Sequence, residues 1–171
     1  MYAQKIAGMT ATLSLSVLAA GTTSTITTTG THIFAIKSKG YSHAALTNQA
    51  TPTTDFATSN AFLGVKGGGS VVNANGFGSV FVYGFDAAGV LRCCQGSITA
   101  LDASGNFVVN PQMPELPDAM APFGVLIIKA GNTGDAVTGW IQGTANQAGV
   151  TGITYLRYDV MLGMPDRPLA S

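Results

Sequence analysis

Charged side chains are scarce in this chain. Asp, Glu, Lys and Arg make up 9% of its 171 residues, where soluble domains usually carry about 25%. Eight basic and eight acidic residues cancel to a formal net charge of zero. Mixed surface charge and a net charge away from zero keep a soluble monomer apart from its neighbours. A chain without them suits packing against other protein. The balance also argues against direct binding of nucleic acid, because phosphate neutralisation needs a basic patch. Of the scattered cations only Lys37 and Lys39 stand close together. Strand alternation predicts that pair on one face, as a solvated strand end.

Cysteine is limited to the adjacent pair Cys93 and Cys94. Neighbours on a strand point to opposite faces, so two reduced thiols are expected, one of them buried as a small apolar residue. No Asn-x-Ser/Thr acceptor occurs either, and both absences fit a protein made and kept in a reducing compartment, the cytoplasm of the cell that makes it. No apolar run approaches the ~18 residues of a transmembrane helix, so no membrane partner is expected. The apolar stretch after Lys5 is interrupted by Thr10, Thr12, Ser14 and Ser16. It is too polar for a secretory core and reads as a half-buried strand.

The chemistry of common active sites is missing as well. His32 and His43 are the only histidines, with no ligand partner at metal-binding spacing. Each is expected to be a hydrogen-bonded structural residue, and no metal or cofactor is predicted. Glu115 is the only glutamate, so paired-carboxylate chemistry would fall to aspartates. The glycines of Gly67-Gly68-Gly69 follow Lys66 instead of preceding a Lys-Ser/Thr pair, which excludes a phosphate loop. No Gly-x-Ser-x-Gly elbow occurs. The expectation is a protein that is not an enzyme.

What the chain does contain is strand pattern punctuated by Gly, Asn, Asp and Pro. Strands are predicted over 11–18, 31–38, 78–85, 89–95, 97–102, 106–109, 123–130 and 151–162, with a weaker one through Ala61–Val65. No amphipathic helix of ten residues is evident, so the fold class is all-β, an antiparallel β-sandwich of jelly-roll type. Two turns repeat one design. Asp86-Ala87-Ala88-Gly89 and Asp102-Ala103-Ser104-Gly105 each place Asp first, to accept a backbone hydrogen bond, and Gly last, where φ is positive. They predict a meander of hairpins over 80–109. Residues 40–77 are weakly patterned. Pro111, Pro114, Pro117 and Pro122 make 110–122 an extended connection with one helical turn near Asp118-Ala119-Met120.

The stretches 80–85 and 124–128 are apolar at every position except Gly84 and Gly124. A strand buried on one face should alternate. One face therefore meets the core, and the other meets either a loop of the same chain or another subunit. The low charge favours a subunit, which makes Phe81, Tyr83 and Phe85, or their alternates, a candidate outward contact face. Domain boundaries follow as an N-terminal arm over 1–10, a sandwich over 11–162 and a C-terminal arm over 163–171, the last held extended by Pro165 and Pro168. Tyr2, Gln4 and Ile6, with Pro165, Arg167, Pro168 and Leu169, are the candidate arm contacts. Asp159 is expected to pair with Arg157 on one strand face.

Val80–Gly96 with its Asp-Ala-Ala-Gly turn, the ending Tyr158–Pro168 and the segment Thr51-Pro52-Thr53-Thr54-Asp55 resemble small bacteriophage virion proteins of the head-decoration or cement type. The resemblance covers about the C-terminal two-thirds and lies in a Thr/Gly/Ala-rich, charge-poor, all-β style. It implies a jelly-roll-like domain on the outside of an assembled icosahedral shell, bridging subunits of the major capsid protein. Self-association into a symmetric homo-oligomer is expected alongside. The alternative is a tail-fibre or receptor-binding module that holds carbohydrate on a platform of Trp140 with Gln142, Asn146 and Gln147. Burial of the indole in a core or interface would remove that platform.

Overall fold

The longest apolar segments of the chain become its two central strands. The computed structural model describes residues 19–20, 24–28, 30–37, 39–68, 74–131, 136–145 and 153–158. Among these residues ten strands run in the order β1 (Ala19–Ala20), β2 (Thr25–Thr27), β3 (His32–Ile36), β4 (Lys39–His43), β5 (Gln49–Ala50), β6 (Phe77–Asp86), β7 (Leu91–Gln95), β8 (Thr99–Ala100), β9 (Met120–Ala130) and β10 (Ile153–Tyr158). The described residues contain no helix, hence none long and apolar enough to cross a membrane.

The main sheet has the order β10-β9-β6-β7, and β8 continues the β7 edge by pairing with the start of β6. The described residues also form a three-stranded sheet, β1-β2-β5, and the hairpin β3-β4. Among the described residues every pairing is antiparallel and no sheet closes on itself.

Both faces of the main sheet are covered. Phe81, Tyr83 and Phe85 of β6 join Ile26, Phe34, Ile36, Leu46, Phe62 and Trp140 in the larger core. Val80 and Val82, on the opposite face, pack with Cys94, Met120 and Val125 beneath Phe56, Met113 and Leu116. Of the two covers expected for this second face, the chain supplies its own. The proline-rich connection lies over the sheet, tied down by the Ser97 amide donating to the Gln112 carbonyl at 3.1 Å and the Gln112 amide donating to Ser97 Oγ at 2.8 Å. Phe81, Tyr83 and Phe85 therefore do not form an outward contact face: all three side chains are 0% exposed within the single chain.

A bulge in β9 explains how a run of apolar residues can serve two cores. Tyr83 pairs with Gly124 but Gly84 pairs with Pro122, so Phe123 is an extra residue. Alternation reverses there. Ala121 and Phe123 before the bulge, and Leu126, Ile128 and Ala130 after it, all face the larger core. Pro122, which has no amide to donate, sits at this irregularity.

The two Asp–Gly turns form as the sequence predicts. Asp86 Oδ1 accepts from the amides of Ala88 and Val90, each at 2.9 Å. Asp102 Oδ1 accepts from Ser104 and Asn106, each at 2.8 Å. Gly89 and Gly105 both take φ 76°, which a Cβ would oppose.

Other expectations shift. Lys37 does not share a strand face with Lys39: it occupies the β3–β4 turn at φ 49°, while Lys39 opens β4 opposite Ile36. Strand β4 arises inside the weakly patterned 40–77 region. Segment 106–109 contributes one bridge, Leu101 to Phe107, and the weak strand near 61–65 reduces to bridges at Ala61 and Val65. At 118–119 the chain makes a turn closed by the Met120 amide on the Pro117 carbonyl at 2.9 Å. The predicted strand 11–18, and the arm contacts Tyr2, Gln4, Ile6, Pro165, Arg167, Pro168 and Leu169, lie outside the described residues, as does the Arg157–Asp159 pairing.

Candidate interaction surface

With both faces of β6 closed, the exposed apolar side chains of the described residues lie elsewhere. Among the described residues the exposed large apolar side chains are Ile33, Leu63, Val90, Val108, Val109 and Val137. None belongs to β6 or β9. Leu63 is held by a side-chain clamp that reaches it from β7.

Its anchor starts at Asp55, a buried carboxylate in an otherwise polar loop. Oδ1 accepts from the amides of Ala57 at 2.7 Å and Thr58 at 3.1 Å, the local Asx turn that a short acidic side chain favours. Oδ2 reaches 40 residues along the chain to the Gln95 amide, at 2.8 Å. The Phe56 amide donates to the Cys93 carbonyl at 2.9 Å. These bonds stitch 55–58 onto β7, which would otherwise be a bare sheet edge. The Gln95 side chain then clamps Leu63 from both sides. Its Oε1 accepts from the Leu63 amide at 2.8 Å and its Nε2 donates to the Leu63 carbonyl at 2.9 Å. The backbone is held while the side chain stays 67% exposed.

Beside this clamp lies an open depression of about 180 Å³ lined by Pro52, Thr54, Asp55, Phe56, Ser59 and Arg92. Its charges are already engaged. The Arg92 guanidinium stacks on Phe56 at 4.8 Å and pairs with Asp86 Oδ2 at 2.7 Å. Burial raises the Asp86 pKa, but the amides of Val90 and Ala88 and the Arg92 cation outweigh it and hold the carboxyl below its ordinary value.

The remaining reactive side chains are interior. Cys93 faces the larger core and Cys94 the smaller one, so both thiols are buried and unbridged, where one was expected. Burial pushes Cys94 up to about 12, with the Asp55 charge adding to it, and also raises Cys93 well above its ordinary value. His32 is fully buried, with Nε2 2.7 Å from Thr28 Oγ1. His43 Nδ1 donates to the Ala44 carbonyl at 2.6 Å. Both are hydrogen-bonded framework residues, as their sequence context suggests. Among the described residues no three His, Cys, Asp or Glu side chains converge to hold a metal ion.

The carbohydrate platform does not assemble from its leading members. Trp140 is 2% exposed and packs edge-on against Phe81 at 5.4 Å, and Gln142 is wholly buried. Neither ring face nor amide is presented to a sugar. Asn146 and Gln147 lie outside the described residues.

Sequence reasoning missed the Asp55–Gln95–Leu63 clamp. Its only local signal is Asp55 followed by Ala57 and Thr58 at Asx-turn spacing; the link to Gln95 is tertiary. Comparison with protein-family models, with curated proteins and with solved structures finds no match for this chain.

Proposed function

We propose that this chain is a structural virion protein that decorates and cements the outside of an icosahedral phage capsid by bridging major capsid subunits. In this reading the sheets belong to a jelly-roll-like β-sandwich, the segments 1–10 and 163–171 act as contact arms, and copies associate into a symmetric homo-oligomer. The observation that carries it is the rigid presentation of Leu63 on a charge-poor surface, with Val108 and Val109 exposed on a second loop. Exposed apolar groups on ordered loops lose little conformational freedom when covered, so their burial is retained as binding energy. Phe107, Asn110 and Pro111, next in sequence to Val108 and Val109, are neutral and add no charge desolvation cost. A shell offers many identical joints, so weak contacts gain by repetition.

The test is co-sedimentation of the full chain with shells assembled from the major capsid protein of the same phage. Saturation at a fixed ratio per shell subunit is expected, weakened by Leu63→Asp and by Val108→Asp/Val109→Asp with the fold intact. A wild-type chain that stays in the supernatant at tens of micromolar, while a glycan array captures it, overturns the capsid reading in favour of a tail-fibre module.

A further inference from the structure

The β3–β4 hairpin joins the rest of the molecule in an unusual way. Among the described residues its strands pair only with each other. A two-stranded hairpin alone is marginal in water, so its order comes from the side chains it sets against the main sheet. Those are aromatic. Phe34 stacks on Phe85 at 5.4 Å and on Tyr41 at 5.5 Å. His43 stacks on Phe85 at 4.5 Å. The His32 ring lies 5.1 Å from Phe85 and 5.0 Å from Phe123.

His32 occupies the deepest position of this contact. Its Nε2 meets Thr28 Oγ1, which also accepts from the Leu46 amide at 3.0 Å. Its Nδ1 is buried with no hydrogen-bond partner. The neutral ring can leave Nδ1 as a bare lone pair, whereas the imidazolium must place an N–H there with nothing to accept it. The charged groups around it give no relief. From β4 the titratable neighbour is His43, cross-strand to His32, whose own charge would repel. Lys39 directs its ammonium over the Tyr41 ring at 5.6 Å. From the end of β6, the Asp86 carboxylate is committed to Arg92 and its turn amides. Phe123 of β9 and Thr28 after β2 carry no charge. Among the described residues no carboxylate pairs with either histidine.

We propose that the β3–β4 hairpin is an acid-released clasp: it docks on the β6–β9 sheet only while the His32 ring is neutral, and protonation frees it and bares Phe85 and Phe123. Burial and the neighbouring His43 both hold the His32 pKa below its ordinary value, in keeping with a docked state that excludes the proton. The proposal does not depend on the capsid reading.

The test is amide hydrogen exchange on the full chain from pH 7.5 to 5.0, corrected for intrinsic rates. Below about pH 6.5 the opening constant of residues 32–43 should rise, approaching tenfold per pH unit, because one proton binds in the open state only. The β6 and β9 amides should stay protected. His32→Phe and His32→Gln, the latter keeping an amide for Thr28, should abolish the dependence. Equal opening of 32–43 at both ends of the range overturns the proposal. So does a His32 ring signal that titrates while the hairpin stays protected, or β6 and β9 amides that open in step with the hairpin. If neither variant folds, the wild-type series and ring titration decide alone.

Discussion

Removing the Asp55 carboxylate should loosen the outer edge of the main sheet and leave its centre intact. Three backbone amides depend on it, those of Ala57, Thr58 and Gln95. A hydrogen bond to a charged acceptor contributes about 1.5–3 kcal/mol, and less where the donor can recover water. Ala57 and Thr58 are exposed and can recover it; the Gln95 amide, beneath the 55–58 loop, recovers less. Together these give a cost near 3 kcal/mol for Asp55→Ala. At about 2–4 °C per kcal/mol for a chain of this size, the melting temperature should fall by roughly 6–12 °C. Asp55→Asn keeps one acceptor oxygen for the Ala57 and Thr58 amides but turns an NH2 towards the Gln95 N–H. Its cost should be smaller, about 2 kcal/mol. Chemical denaturation of both variants supplies the magnitudes. Thiol labelling supplies the location, because Phe56 packs over the cluster holding Cys94, and Cys94 should react faster in Asp55→Ala well below its melting transition. A loss under 0.5 kcal/mol, or unchanged labelling, refutes the role given to Asp55.

Gly105→Ala should cost about 1–2 kcal/mol from positive φ alone, because a Cβ there meets open space. Gly89→Ala should cost more, since the same φ is joined by a contact of 3.1 Å with His43 Cδ2; equal melting shifts would sink that distinction. Trp140→Ala, which empties a buried site beside Phe81, should destabilise by about 3–5 kcal/mol in a denaturant titration. Stability should also depend on pH through His32. Its folded pKa lies below the ordinary 6.5, so the unfolded chain binds more protons in the window beneath that value. The stabilisation is complete above the window and declines as pH falls through it; a denaturation midpoint that stays flat or rises on acidification below 6.5 in the wild type, after subtraction of the His32→Gln profile, would contradict it. In native protein at pH 8, alkylating reagents should label neither Cys93 nor Cys94 appreciably, and denaturant should expose both.

Short-range patterns of side chains sufficed for the local elements. Alternating and continuous apolar runs marked β3, β6, β7 and β9, because period-two burial writes itself into adjacent residues. The Asp–Gly turns were equally legible, since a capping carboxylate and a positive-φ glycine lie within four positions of each other. The short strands β2, β4 and β5 carried no such pattern. They pair through backbone groups, and Gly40, Ser42 and Gln49 say little about where a partner lies. Which faces were closed depended on long-range packing. Phe81 and Val82 look alike as apolar neighbours, but one meets Trp140 and Phe62 while the other lies under a connection that follows thirty residues later in the chain. The bulge at Phe123, the deep placement of His32 and the clamp from Asp55 through Gln95 to Leu63 were decided the same way. Each depends on groups tens of residues apart, and local propensity holds no record of that separation.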